Sequence, residues 1–367
     1  MHRGGNRQGN MDKPAPSTGS AQVIGHETTL EILDRAVVEG RVRHAYLFAG
    51  PAHVGKSTLG RWLALRLNCP GPEAPCGHCP SCRRILEGAH PDVRSLQLPN
   101  DRDPTLGIPI ETGQRNSRTV ERVIGIEQIR ALQRDVSLAP HQGRWKVYII
   151  TNVETMSLEA ANCLLKTLEE PPASSILVLT TGDSLELLPT VLSRCQMIRI
   201  GLVPWETIAT ALTSRWNSPL EQAQLVARLS GGRPGWAIDA LTNQDLLEER
   251  QQALAILAAT LEGTLRERLQ VAEKLATYFS RDPGHVLQTL IIWQLWWWDV
   301  QLVQRRCHEL VTNVDQAERL RSIANSLTSS TVVAYLRQIE LAAQRLLQNV
   351  NPRLALEALV LASPTAR

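Results

Sequence analysis

The chain is 367 residues long, 43% hydrophobic and 20% charged, which excludes a disordered or fibrous protein and leaves room for two or three folded domains. A net charge of +3 permits contact with nucleic acid but lacks the dense basic patch of a dedicated DNA-binding domain. Apolar runs stop well short of the roughly 20 residues that span a bilayer, the Trp-rich stretch 291–300 being broken by Gln294 and Asp299, so the protein is expected in the cytoplasm and off the membrane.

Residues 1–22 are polar and rich in Gly, Pro and Ser, without the apolar core of a signal peptide, and read as a disordered tail or a mis-called start. Residues 27–40 then carry Leu30, Leu33 and Val37 at helical spacing. A short apolar run at 44–49 stops at Gly50, as a buried strand does, and 57–68 is a Leu- and Ala-rich helix. After a cysteine cluster, 93–98 is a further candidate strand, and 100–122 is polar, with Pro and Gly, as in a surface loop. Helical pattern returns at 126–136 and 158–170, the latter ended by Pro171-Pro172. Strands are predicted at 146–151, 175–180 and 197–200. Short apolar strands alternating with helices predict a parallel sheet covered on both faces. Beyond Pro204 strand signals cease: 205–216, 220–230 and 234–241 read as short helices, and everything from about 245 as long helices. In that last region Trp293, Trp296, Trp297 and Val300 share one helical face, most simply a buried core or a subunit contact. Base stacking would call for interleaved basic residues.

Gly50-Pro51-Ala52-His53-Val54-Gly55-Lys56-Ser57-Thr58 fits G-x-x-x-x-G-K-[ST] after a strand and at the start of a helix, where a phosphate loop belongs. Glycines Gly50 and Gly55 let the backbone wrap a phosphate, Lys56 would reach the β- and γ-phosphates, and Ser57, followed by Thr58, would ligate Mg²⁺ at the helix N-terminus. His53 reads as a solvent-facing variable position rather than a base. Cys69, Cys76, Cys79 and Cys82 fall within fourteen residues rich in Pro and Gly, a spacing that can close a tetrahedron of thiolates around a structural Zn²⁺. A disulfide or redox role fits a reducing compartment poorly, and His78 could replace one cysteine only if one were missing. Cys163, Cys195 and Cys307 are scattered and read as ordinary thiols.

Hydrolysis by a P-loop ATPase needs an acidic residue just past a neighbouring strand to hold Mg²⁺ and orient water. Strand 146–150 instead runs into neutral Thr151 and Asn152, with Glu154 two residues further on. Glu154 would have to fold back to serve, and catalytic carboxylates tolerate little misplacement.

The P-loop, the four-cysteine insertion behind its helix, Leu164-Leu165-Lys166-Thr167-Leu168-Glu169-Glu170-Pro171-Pro172 and Ser193-Arg194-Cys195 together resemble the AAA+ clamp-loader subunits of bacterial DNA polymerase III, the delta-prime and gamma/tau proteins. The specific motifs cover residues 23–240, and the closing segment 349–357 matches more loosely. The resemblance implies an α/β P-loop AAA+ domain with a parallel sheet at 23–203, carrying a zinc module at 69–82. A small helical lid at 204–244 and an all-α C-terminal collar at 245–367 would follow. Neutral Thr151 and Asn152 stand where motor subunits carry Asp-Glu, and Gly235 stands near a lid arginine position, with Arg233 close by. Thr180 or Thr181 would occupy the sensor position near the γ-phosphate. These departures favour the delta-prime side: a stator with little or no ATPase of its own, in a five-membered ring with gamma/tau and delta. Arg194 would be offered in trans to a neighbour's ATP. The ring would place a sliding clamp on primed DNA. The alternatives are a gamma/tau-like motor using Glu154, and a zinc-dependent DNA-binding module unrelated to clamp loading.

Overall fold

The computed structural model describes residues 23–96, 123–182, 184–243, 245–348 and 350–364. The tail 1–22 and the loop at 100–122 therefore lie outside the described residues. Those described fall into two compact units, one reaching to Val203 and taking in Thr210–Asn217, the other Pro204–Ala209 together with the chain from Ser218 onward.

The first unit is built on five strands, β1 (Ala45–Ala49), β2 (Val93–Leu96), β3 (Lys146–Ile150), β4 (Ser175–Thr181) and β5 (Gln196–Arg199), all parallel and ordered β2-β3-β4-β1-β5. Period-2 alternation assigns each strand's residues to the two faces. Tyr46, Phe48, Val147, Ile149, Ile176 and Val178 pack with α1 (Glu27–Val38) and α2 (Lys56–Asn68). Leu47, Tyr148, Ile150, Leu177 and Leu179 pack on the opposite side with α4 (Ile126–Val136) and α5 (Leu158–Glu169). Two apolar cores on one sheet explain why β1, β3 and β4 are buried along their whole length. Two short helices went unforeseen in the sequence, α3 (Pro80–Leu86) inside the cysteine segment and α6 (Pro189–Leu192). Both are under two and a half turns, too short for apolar periodicity to register. Each is opened by a proline at a position where the lost N–H costs nothing.

Two polar clamps fix the approach to β3. The Asn68 side chain, at the end of α2, donates to the Trp145 carbonyl and accepts from the Trp145 N–H (3.1 and 3.0 Å). The buried Asp92 carboxylate accepts the N–H groups of His141, Gln142 and Gly143, each at 2.7 Å. Burial alone would raise the Asp92 pKa, but the three backbone donors outweigh it and hold the carboxyl below its usual range. A depressed carboxylate stabilises the fold above its unfolded pKa of about 3.9 and loses that contribution as pH falls through the lower folded value. Asp92→Ala is therefore expected to cost about 2–3 kcal/mol at pH 7, since it strands buried donors. In urea unfolding the gap between the two proteins should narrow below about pH 4, and a gap that stays constant with pH would contradict the assignment.

The second unit is helical: α8 (Leu220–Leu229), α9 (Pro234–Thr242), α10 (Asp245–Glu262), α11 (Leu265–Phe279), α12 (Pro283–Gln304), α13 (Ala317–Ser326), α14 (Ser329–Leu347) and α15 (Pro352–Leu361). An intervening helix, α7 (Trp205–Trp216), contributes to both units. Trp293, Trp296, Trp297 and Val300 of α12 are fully buried in one core with Tyr335 of α14 and Leu356 of α15. Trp297 stands edge-on to Trp296 and to Tyr335, with ring centroids 5.3 and 5.0 Å apart, and Trp293 Nε1 donates to the Ala253 carbonyl at 2.9 Å. The tryptophan face is core, while Trp298, off that face, is exposed. No helix among the described residues is long and apolar enough to cross a membrane.

Candidate functional site

The loop from Gly50 to Gly55 joins β1 to α2, and its conformation explains its glycines. The Gly50 N–H pairs with the Thr181 carbonyl at the end of β4 (3.2 Å), and a Cβ on Gly50 would sit 2.1 Å from the Ile200 carbonyl oxygen. Gly55, with φ of 105°, turns the chain into α2 in a region closed to ordinary side chains. Val54 is buried beneath the loop, and His26 Nε2 donates to its carbonyl at 2.8 Å. That buttress had no signal in the sequence, because twenty-eight residues separate the partners. His53 is exposed with a left-handed backbone. Ser57 and Thr58 follow in the first turn of α2, half-buried.

Lys56 is only 8% exposed, and its Nζ donates to the carbonyls of Gly50 and Pro51 at 2.7 and 2.8 Å. Burial lowers its pKa, and the Glu154 carboxylate pulls it back up. Here the lysine folds back onto its own loop, whose two carbonyls accept its hydrogen bonds. Thr151 is buried, with its N–H on the Leu96 carbonyl (3.0 Å). Asn152 has φ of 51° and gives its N–H to Thr180 Oγ1 (3.3 Å). Glu154, in a 3-10 turn (Val153–Thr155), folds back across this end of the sheet: its Oε1 accepts the Gly182 N–H at 3.0 Å. The carboxylate that sequence spacing placed two residues too late thus reaches the end of β4 that adjoins the P-loop.

The four cysteines converge. Cys69 ends α2, Cys79 caps α3, Cys82 lies in its first turn, and all four Sγ atoms are within 4.8 Å of one another. Four thiolates 2.3 Å from a central zinc ion would stand about 3.8 Å apart, so the donor set and its spacing fit such an ion. Backbone N–H groups of Cys76, Cys79 and Cys82 point at the sulfurs of Cys69, Cys76 and Cys79, each at 3.4 Å. The N–H groups of His78 and Cys79 draw the Cys76 thiol down to about 6, whereas burial pushes Cys82 up. His78 is exposed and turns its Nδ1 to the Cys76 carbonyl (2.8 Å), away from the cluster. Cys163, Cys195 and Cys307 lie outside it.

Arg194 stands at the other end of the sheet. It precedes β5, whose Gln196 pairs with Tyr46 near the start of β1, whereas the P-loop follows Ala49 at the end of β1. A five-residue strand is about 16 Å long, so Arg194 cannot serve its own P-loop. Its Nη1 donates to the Thr190 carbonyl (2.9 Å) and Ser193 Oγ (3.1 Å), and its Nη2 pairs with Glu169 Oε1 at 2.7 Å. Arg233 is half-buried at the start of α9 in the other unit, its pKa lowered by burial.

A parallel sheet ordered β5-β1-β4-β3-β2, with a phosphate loop after β1 and helices on both faces, defines the class as a P-loop domain of AAA+ type. Residues 25–203 match the family described as DNA polymerase III, delta subunit. The chain is 27% identical to the delta-prime subunit of Bacillus subtilis over 90% of its own length and 94% of that protein. It is 34% identical to the delta-prime subunit of Pseudomonas aeruginosa over 58% and 59% of the two chains. With the tau subunit of Escherichia coli it shares 32% identity over 69% of its length, and it spans only 32% of that relative. The chain belongs to the bacterial clamp-loader family of delta-prime and gamma/tau subunits.

Proposed function

We propose that the chain is a delta-prime-like clamp-loader subunit that acts as a stator and lends Arg194 to the nucleotide site of a neighbouring subunit. The observation that carries this is the separation of Arg194 from its own P-loop by the length of the sheet. A guanidinium suits the role because it stays charged and grips phosphate oxygens bidentately. In this reading the subunit works in the cytoplasm, in a ring of five with gamma/tau and delta. Residues 204–244 form a lid and 245–367 a collar that joins the ring, and the assembly opens a sliding clamp and sets it on primed DNA. Cys69, Cys76, Cys79 and Cys82 would hold a Zn²⁺ that braces α2 against α3. Gly50, Gly55, Lys56, Ser57 and Thr58 would hold the phosphates of ATP and their Mg²⁺ without efficient turnover, because neutral Thr151 and Asn152 offer the metal no charge.

The isolated chain with Mg-ATP is expected to show negligible hydrolysis, and to co-purify with gamma/tau and delta when co-expressed. Robust turnover abolished by Lys56→Ala would overturn the stator reading. One observation favours a second reading, a gamma/tau-like motor: Glu154 folds back to accept the Gly182 N–H at 3.0 Å, just past β4, whose Thr181 carbonyl also takes the Gly50 N–H of the P-loop. In that case Glu154→Gln would remove hydrolysis from the isolated chain as completely as Lys56→Ala.

A further inference from the structure

Arg194 lines an open cleft of about 830 Å³ at the edge of the sheet where β1 and β5 begin, together with Arg43, His44, Ser193 and Glu169. Two arginines face one carboxylate there, so the cleft favours an anion. The guanidinium is already engaged on two sides: Thr190 and Ser193 hold Nη1, and Glu169 holds Nη2 at 2.7 Å. The neutral acceptors belong to the turn that carries Arg194, and they set its direction without opposing a phosphate. Glu169 differs on both counts. It comes from the last residue of α5, and its charge competes directly with an incoming phosphate for the same N–H groups. Its side chain is 49% exposed, against 34% for Arg194, so it can swing into water when the arginine is drawn away.

We infer that Glu169 is a positioning residue for Arg194, a counter-ion that parks the guanidinium until the phosphates of a neighbour's nucleotide displace it. This rests on the trans-arginine reading above. Bidentate contact with a phosphate requires two N–H groups on one edge of the guanidinium, and Glu169 holds the Nη2 side of it. Releasing an ion pair this exposed is cheap, so the latch sets a resting rate without blocking the site.

The test uses the complex reconstituted with gamma/tau and delta, hydrolysing Mg-ATP without clamp or DNA. Glu169→Gln is expected to raise resting turnover by about two- to fivefold, the range an exposed ion pair can account for. Glu169→Asp, which keeps the charge on a shorter arm, should fall between the two. Raising salt from about 0.05 to about 0.5 M screens the pair, so the ratio of variant to parent should approach one. A merely structural role would lower turnover and give no such convergence. Glu169→Gln turnover equal to or below the parent's, with Arg194→Ala still impaired, would overturn the latch and leave the trans-arginine standing. If Arg194→Ala turns over like the parent, both fall together.

Discussion

Arg194→Ala should leave the ring assembled and slow ATP hydrolysis at the neighbouring site by on the order of 10³ or more, the range over which an arginine supplied in trans acts on phosphoryl transfer. The complex as a whole should lose at least the share of turnover that this site contributes. Assembly should survive, because Arg194 is 34% exposed and its contacts are with its own turn and with Glu169 rather than with either apolar core. Arg194→Lys separates charge from geometry. Lysine keeps the positive charge as a point but not the planar fork, so it should recover part of the lost rate and stay well below arginine. Size-exclusion chromatography of the reconstituted ring, run beside a steady-state ATPase assay, distinguishes a catalytic loss from a failure to assemble. An unchanged rate in an intact ring would remove Arg194 from the neighbour's site.

In the proposed reading the two ends of the sheet carry different parts of the same chemistry. At the C-terminal end of β1, Lys56 is satisfied by Gly50 and Pro51, and Thr151 and Asn152 place no charge beside it. At the opposite end Arg194 stands in an open cleft. A parallel sheet imposes this arrangement, because every strand begins at one edge and ends at the other. A residue just before β5 and a loop just after β1 cannot meet within one chain, and in the proposed reading they become neighbours across a subunit boundary.

Much of this was legible in the sequence because it depends on local pattern. Strands β1, β3 and β4 are apolar runs, and the P-loop, the cysteines and Ser193-Arg194-Cys195 are continuous motifs. Ends were less certain than existence: the expected strand at 197–200 begins at Gln196 and the expected helix at 57–68 begins at Lys56. What stayed hidden was non-local. Nothing in the spacing of Glu154 shows that a 3-10 turn carries its carboxylate to Gly182. Nothing local to His26 announces Val54, and nothing in Leu168-Glu169-Glu170 tells which glutamate meets Arg194. These depend on how strands are ordered in the sheet, and periodicity carries no information about order. The cysteines were the exception, because four soft ligands within fourteen residues specify their own meeting point whatever the surrounding fold.

The cysteine module carries the second large expectation. The purified chain should contain one zinc per molecule by elemental analysis, and Cys82→Ser should lose it. Cys82 is fully buried in the core shared by α2 and α3, beside Ile85, so its replacement removes one ligand and also puts a hydroxyl into an apolar site. Losing a structural metal belongs with the most damaging single changes, on the order of 4 kcal/mol. For a unit of this size that corresponds to roughly 8–16 °C in Tm. The loss should stay below the binding energy of an isolated zinc finger, about 10–16 kcal/mol, because the sheet and its two apolar cores persist without the module. His78→Ala is the control: the imidazole turns to the Cys76 carbonyl and is exposed, so zinc content and Tm should not change. A chelator strong enough to strip zinc should bring the parent down towards the Cys82→Ser melting temperature and leave the variant where it was. If the cysteines instead formed disulfides, zinc would be absent, and reduction rather than chelation would lower the Tm. Since Cys69 and Cys76 Sγ stand 3.5 Å apart with all four thiols free, chelation is the treatment expected to act.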